Sequence, residues 1–194
     1  PDGWRQIAGI APDWIVLTCG DAPGEVPPLV TPEGPFYVGF TSGSSGRPKA
    51  FVRSHRSWWE SFQRFNDVCP IRTPGTVLVP GPLSSSHFLF GALHGLHIGA
   101  TVEVIPSAEY APERLLRRIA EGEPPAAVFV VPTMIEQLTR DGVPIDAAPQ
   151  RIFCAGAHLD GTLRERVARR FPTSSLVEYY GASEWSFVAI HVDG

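Results

Sequence analysis

Apolar and aromatic positions along this chain fall into short blocks separated by proline, glycine and polar turns. Phe36, Tyr37, Val38, Gly39 and Phe40 follow the turn residues Pro32, Gly34 and Pro35, a pattern that predicts a strand. A polar loop is expected next. Ser57 and Glu60 have capping-box spacing, and Trp58, Phe62 and Phe65 recur on one helical face, so a helix is expected over 57–68. Strands and helices then alternate. Residues 76–79, 101–105, 127–131, 151–154 and 176–179 read as extended, and 88–98, 112–121, 132–140 and 160–171 as helical. Pro112 stands in the first turn of one helix and Asp160 at the cap of another. Residues 186–192 are one further strand candidate. Because the strands are mostly apolar and alternate with helices, they imply a mostly parallel sheet covered on both faces. The expected fold class is α/β, one domain over residues 1–194.

Composition narrows the function classes. With 43% hydrophobic and 19% charged residues, a 194-residue chain can bury one substantial core. Its formal charge of -4 provides no broad positive field for a nucleic-acid backbone, so no nucleic-acid partner is expected. The arginines between 114 and 118 and between 164 and 170 alternate with Leu115, Leu116, Ile119, Leu163 and Val167, as on solvated helix faces. Cys19, Cys69 and Cys154 are odd in number and lack a CxxC pair, which argues against a disulfide framework and fits a reducing, cytoplasmic location. No apolar run reaches the roughly 20 residues of a membrane span, and no basic-then-apolar leader pattern opens the chain. A start at Pro1 and a stop at Gly194 directly after an expected strand read as a piece of something longer. Surfaces covered in the longer protein would then be exposed, and self-association as a homodimer is one expectation.

Candidate chemistry collects at one edge. In open parallel sheets, ligands bind beyond the carboxyl ends of the strands. Four glycine-bearing or polar segments fall there. The strand ending at Phe40 runs into TSGSSGRPK, residues 41–49; the strand at Val79 leads to Ser84, Ser85, Ser86 and His87. The strand at Cys154 runs into Gly156, Ala157 and His158, and the one at Tyr179 into Tyr180, Gly181, Ala182, Ser183 and Glu184. In the first loop, Gly43 and Gly46 let the backbone approach an anion while Thr41, Ser42, Ser44, Ser45 and Lys49 supply donors and positive charge. It differs from the common P-loop, where lysine directly follows the last glycine and opens a helix; here Arg47 and Pro48 intervene. Composition alone is equally compatible with a flexible Gly/Ser turn.

The order of residues in that loop resembles the adenylate-forming superfamily of acyl-CoA synthetases, luciferases and nonribosomal adenylation domains, whose phosphate loop reads T-S-G-[ST]-[ST]-G-x-P-K-G. Residues 41–49 match throughout, with Ala50 in place of the last glycine. His55 follows the loop as the family's histidine does, residues 82–87 are similar to the stretch before its acyl pocket, and Val131, Pro132 and Thr133 to its VPT helix start. Residues 154–159 resemble the G-G-A-P-L loop beside adenine, with Ala155 and His158 as departures. Residues 180–184 resemble Y-G-x-T-E, with Ser183 for threonine. The likeness runs in order over residues 36–184, at the core of that superfamily's amino-terminal domain.

The resemblance implies an enzyme that uses ATP and Mg2+ to convert a carboxylic acid to its acyl-AMP, which coenzyme A then intercepts. Thr41, Ser42, Gly43, Ser44, Ser45 and Gly46 would hold the β- and γ-phosphates, Lys49 would support the loop, Ser183 would reach the α-phosphate and Glu184 would ligate magnesium. Tyr180, and with it Tyr179, would cover an adenine face opposite Gly156 and Ala157, with Gly181 following. A core tyrosine is the equal alternative for Tyr179, which points to the opposite side of the strand. His87 would orient the carboxylate or α-phosphate, or be a satisfied structural histidine. His87, His94 and His97 also have spacings of seven and three that suggest a zinc site, against which the small residues around them favour packing. Two rival functions remain: an amino acid or aryl acid adenylation domain of an assembly line, and a nucleotide-binding piece without turnover. Residues 84–90 hold no acid to pair with a substrate amine, which favours a simple carboxylic acid. The family's ribose-binding aspartate and mobile lysine domain would lie beyond Gly194, so the 194-residue chain by itself is expected to be inactive.

Overall fold

A computed structural model describes residues 31–41, 49–72, 74–141 and 143–193. They separate into two compact units, the first ending at Trp58 and the second beginning at Trp59.

In the first unit, β1 (Pro35–Thr41) and β2 (Lys49–Ser54) form an antiparallel ladder in which Thr41 faces Lys49 and Gly39 faces Phe51. A Cβ at Gly39 would stand 2.1 Å from the Phe51 ring, so the missing side chain is what allows that pairing. β2 lies where the sequence pattern predicts a polar loop. Its six residues, KAFVRS, alternate too weakly to announce a strand, and it forms because β1 supplies its backbone partners. β2 leads directly into α1 (His55–Val68), which therefore begins two residues before the expected start at Ser57. The cap is Ser54, whose Oγ accepts from the Ser57 N–H at 3.2 Å; the Ser57 hydroxyl donates instead to the Ser54 carbonyl at 2.9 Å. The first-turn N–H groups of His55 and Arg56 are satisfied by the carbonyls of Gly34 and Pro32, at 3.1 and 2.7 Å, a solution no local pattern reveals. Trp58 packs edge-on against Phe36 and Tyr37 with the Arg53 guanidinium 5.4 Å from its ring centre.

The second unit is built on a six-stranded sheet of order β4-β3-β5-β6-β7-β8. Along the chain it runs β3 (Thr76–Val79), α2 (Ser86–His97), β4 (Thr101–Val104), α3 (Pro112–Ala120), β5 (Ala127–Val130), α4 (Pro132–Leu138), β6 (Arg151–Cys154), α5 (Gly161–Arg170), β7 (Ser175–Ala182) and β8 (Ser186–Asp193). Five strands are parallel; β8 returns antiparallel to β7, as the short connection between them requires. The expected Asp160 cap is present, its Oδ1 accepting from the Leu163 N–H at 2.8 Å.

Alternation along the strands sorts the core into two layers. Leu78, Val128, Val130, Ile152, Cys154 and Leu176 pack with Leu115 and Ile119 of α3, Leu138 of α4 and Val167 of α5. On the opposite face Phe129 and Phe153 stack at 4.8 Å between ring centres, and Phe65 of α1 lies 4.9 Å from Phe153. α2 approaches closely on this side because Gly91 sits over the Phe129 ring and Gly95 over Val77 and Val102. Full burial of side chains this size contributes roughly 1.5–3 kcal/mol each, so the aromatic layer is a major anchor of α1 on β5 and β6. Among the described residues, no helix is long and apolar enough to cross a membrane.

Candidate active site

β3 has β4 on one side and β5 on the other, so the chain leaves β3 in one direction and later resumes in the opposite one. Such a reversal leaves a crevice at the carboxyl ends of the two central strands. The first turn of α2 opens there, carrying Ser86 and His87. His87 Nδ1 lies 2.5 Å from the Tyr179 hydroxyl, and its ring is 5.7 Å from Phe129. Its Nε2 is buried without a hydrogen-bond partner. Burial holds the His87 pKa down to about 4, with the Val130 backbone pulling weakly the other way. The Tyr179 phenol is shifted up, mainly by burial and secondarily by the Cys154 thiol. Both groups are thus neutral at pH 7.

Ser86 makes a second link. Its Oγ is 2.7 Å from Ser183 Oγ, joining the start of α2 to the turn between β7 and β8, 97 residues away. That turn carries Ser183, Glu184 and Trp185 and is closed by the Trp185 N–H donating to the Ala182 carbonyl at 2.9 Å. A Cβ at Gly181 would fall 2.1 Å from the Ser186 carbonyl oxygen, and Ser186 itself has φ 65, so glycine at 181 is a packing requirement of this hairpin. Tyr180 points away from Tyr179, with 71% of its surface exposed, and Glu184 is exposed and forms no ion pair among the described residues.

Beyond β6 the loop through Ala155, Gly156, Ala157 and His158 runs to buried Leu159, with Gly156 at φ 102 and residues 156–158 exposed. Glu178 of β7 accepts the Leu159 N–H at 2.9 Å on Oε1, lies 3.2 Å from His158 Nδ1, and pairs through Oε2 with Arg164, which also pairs with Asp193. Sequence reasoning passed over Glu178. The available signal was a lone carboxylate inside the run Leu176, Val177, Glu178, Tyr179, Tyr180.

The structure therefore brings His87, Tyr179, Ser86 and Ser183 together, with Tyr180 and Glu178 on the other side of β7. Lys49 faces Thr41 in the last pair of the β1–β2 ladder before residues 42–48, in the first unit, so the strand that leads into this loop belongs to the two-stranded sheet and not, as the sequence pattern suggests, to the parallel one. Ser42, Gly43, Ser44, Ser45 and Gly46 lie outside the described residues. His94 is fully buried among Phe62, Phe65 and Phe90, and among the described residues no group of three or more His, Cys, Asp or Glu side chains is placed to hold a metal. Cys69 and Cys154 are free and buried; burial, with the Glu178 charge behind it, pushes the Cys154 thiol up to about 12, so it stays protonated.

Comparison with known proteins bears on what this edge serves. The sequence pattern of AMP-binding enzymes matches residues 6–194. The uncharacterised acyl-CoA ligase YhfT of Bacillus subtilis is 40% identical over 177 residues, which cover 91% of this chain and 36% of YhfT. A malonyl-CoA ligase solved with methylmalonyl-CoA and AMP superposes with a TM-score of 0.73 at 23% identity, over 82% of this chain and 35% of that one. The Vibrio cholerae adenylation domain AlmE, solved with glycyl-adenosine-5'-phosphate, gives a TM-score of 0.73 at 22% identity, over 84% and 31%. At such identities these two structures speak for the fold alone. The chain spans about a third of the length of the relatives it matches. A family pattern matched from residue 6 to the last residue, on the mostly parallel sheet those enzymes share, establishes that the chain belongs to the AMP-binding enzyme family.

Proposed function

We propose that this chain is the nucleotide-binding core of a ligase that activates a carboxylic acid as acyl-AMP and passes the acyl group to coenzyme A. The observation that carries the reading is the Ser86–Ser183 link, 2.7 Å between hydroxyls, which supports a single site made from the loop after β3 and the turn after β7. In the reaction a carboxylate oxygen attacks the α-phosphorus of ATP and pyrophosphate leaves, so negative charge must be met by aimed donors. Ser183 is assigned to the α-phosphate, and Lys49 with Thr41, Ser42, Gly43, Ser44, Ser45 and Gly46 to the β- and γ-phosphates. Tyr180, exposed beside Gly181, covers the adenine, with Gly156 and Ala157 as the opposite wall. Neutral His87 offers a hydrogen bond to the acid or α-phosphate rather than a charge. The aromatic surroundings of His87, namely Phe88, Phe129 and Tyr179, favour an acid without a charged amine.

Glu184 fits a magnesium ion, since its carboxylate is exposed and unpaired among the described residues. With no three-ligand cluster among those residues, that ion would complete its shell with phosphate oxygens and water. Bound there, magnesium supplies neutralisation of phosphate charge.

The test is acid-dependent ATP–pyrophosphate exchange by the native gene product that carries this chain. Exchange should require an added carboxylic acid. Glu184→Gln should unfold within about 0.5 kcal/mol of wild type, as surface substitutions do, yet lose most exchange and need more magnesium for the remainder. Release of ADP as the main product, or normal exchange by the Gln variant at low magnesium, would overturn the reading.

A further inference from the structure

Glu178 is the one carboxylate set inside the apolar run of β7, its side chain only 13% exposed. A buried carboxylate is costly unless every oxygen is paired. Both oxygens here are committed to one short stretch of chain: Oε1 to the Leu159 N–H at 2.9 Å and His158 Nδ1 at 3.2 Å, Oε2 to Arg164 on the first turns of α5. The stretch between β6 and α5 is otherwise anchored at its ends, by buried Ala155 and by the Leu159 side chain in the core. Its near end is tied by a long bond from the Ala155 N–H to the Val130 carbonyl, at 3.4 Å, and Asp160 serves the helix rather than the loop. Between these points Gly156, Ala157 and His158 are exposed, and Gly156 takes a left-handed φ of 102. The position of that exposed backbone is therefore set from its far end by Leu159, whose side chain is buried in the core and whose N–H is fixed by Glu178.

Tyr180 lies two residues further along β7, on the same side of the strand as Glu178. One residue thus fixes both the wall formed by the loop and its register relative to the exposed Tyr180 ring. Arg164 is shared between Glu178 and Asp193 at the end of β8, so it ties the carboxylate in place while one guanidinium serves two acids.

We propose that Glu178 is a positioning residue for the nucleotide: through the Leu159 N–H it holds the 155–159 loop at the distance from Tyr180 that admits the adenine ring. This rests on the reading of the site as ATP-binding. Glu178 acts through the loop and touches no reacting atom, so it governs ATP affinity and leaves the chemical step alone.

Two conservative variants separate this role from a purely structural ion pair. Glu178→Gln keeps the length and the acceptor for the Leu159 N–H but loses the charge facing Arg164. Glu178→Asp keeps the charge but shortens the reach by one methylene. In acid-dependent ATP–pyrophosphate exchange by the native gene product, Glu178→Asp should raise the KM for ATP about tenfold, the scale of one hydrogen bond to a charged group. Glu178→Gln should raise it less than about threefold, and kcat should stay within about twofold in both. Amide hydrogen exchange at Leu159 should speed up in the Asp variant and stay slow in the Gln variant. The reverse order, with Gln more damaging than Asp, would assign Glu178 to the ion pair with Arg164 and overturn the proposal, as would an unchanged KM for ATP in both. Absence of acid-dependent exchange in the wild type is the distinct result that defeats the ATP-binding reading itself.

Discussion

Removing one oxygen from the core of the second unit tests whether His87 and Tyr179 form a bonded pair. Tyr179→Phe keeps the ring that lies 5.5 Å from Phe65, and leaves no space large enough for water. What is lost is the bond of 2.5 Å to His87 Nδ1. Since Nε2 already has no partner within hydrogen-bond distance, the buried imidazole then keeps only its polar interaction with the Val130 backbone among the described residues. A typical buried hydrogen bond contributes about 0.5–1.5 kcal/mol net, and stranding its partner costs about 1–3 kcal/mol, so the variant should lose about 1–3 kcal/mol of unfolding free energy. His87→Leu strands the phenol instead and should lose a similar amount. The double variant strands neither, and the two losses should therefore fail to add by about 1–2 kcal/mol, as for residues in direct contact. Equilibrium urea unfolding of wild type, both single variants and the double variant at pH 7 measures the cycle. A loss below about 0.5 kcal/mol for Tyr179→Phe, or strict additivity in the double variant, would refute the bonded pair.

Two further outcomes follow from the same face of the sheet. Burial lowers the pKa of both His87 and His94 from 6.5 to about 4, so each is neutral when folded and takes up a proton more readily when unfolded. Stability is then fully present above about pH 6.5 and is lost as pH falls towards 4, by about 2 kcal/mol per histidine at pH 5; urea unfolding at pH 7 and pH 5 should show this, and His94→Leu should remove about half of it. A Cβ at Gly91 would meet the Phe129 ring at 2.5 Å, so Gly91→Ala should destabilise by about 1–3 kcal/mol in thermal or urea unfolding despite the better helix propensity of alanine; a stabilised variant would show that α2 does not pack on β5 as described.

Much of the fold was legible because a doubly covered parallel sheet writes itself locally. Val77, Leu78 and Val79, or Ala127 to Val130 taken together, are apolar on both faces, and no neighbour is needed to read them as buried strands. β2 was illegible for the opposite reason. Its residues are exposed or half-buried except Arg53, and its strand character lies in the ladder with β1. The helix start shifted with it: the Ser57 and Glu60 spacing is a sound local signal, but Ser54 ends a strand and is already placed to cap, and the carbonyls of Pro32 and Gly34 take the first free N–H groups. Local signals lose when distant backbone supplies the same hydrogen bonds at no extra ordering cost.

The site divides along the same line. Glycine-bearing segments at strand ends were visible as motifs, since close backbone approach needs particular residue types at particular spacings, as Gly181 against the Ser186 carbonyl illustrates. The bonds that turn these segments into one site were invisible, because each joins residues that are ordinary in their own neighbourhoods. Ser86 is one serine of three in a row, Glu178 one acid in a strand, and Tyr179 one of two adjacent tyrosines. Alternation alone separates those tyrosines: Tyr179 turns inward to His87 and Tyr180 outward to solvent, on opposite sides of one strand. In the proposed site β7 would serve two chemistries at once, its inward side holding a neutral histidine towards the acid and its outward side, through Glu178 and Tyr180, shaping the wall for the nucleotide. A one-residue slip of β7 against β6 would exchange these faces and destroy both, which makes the parallel register that pairs Cys154 with Glu178 a determinant of the proposed activity as well as of the fold.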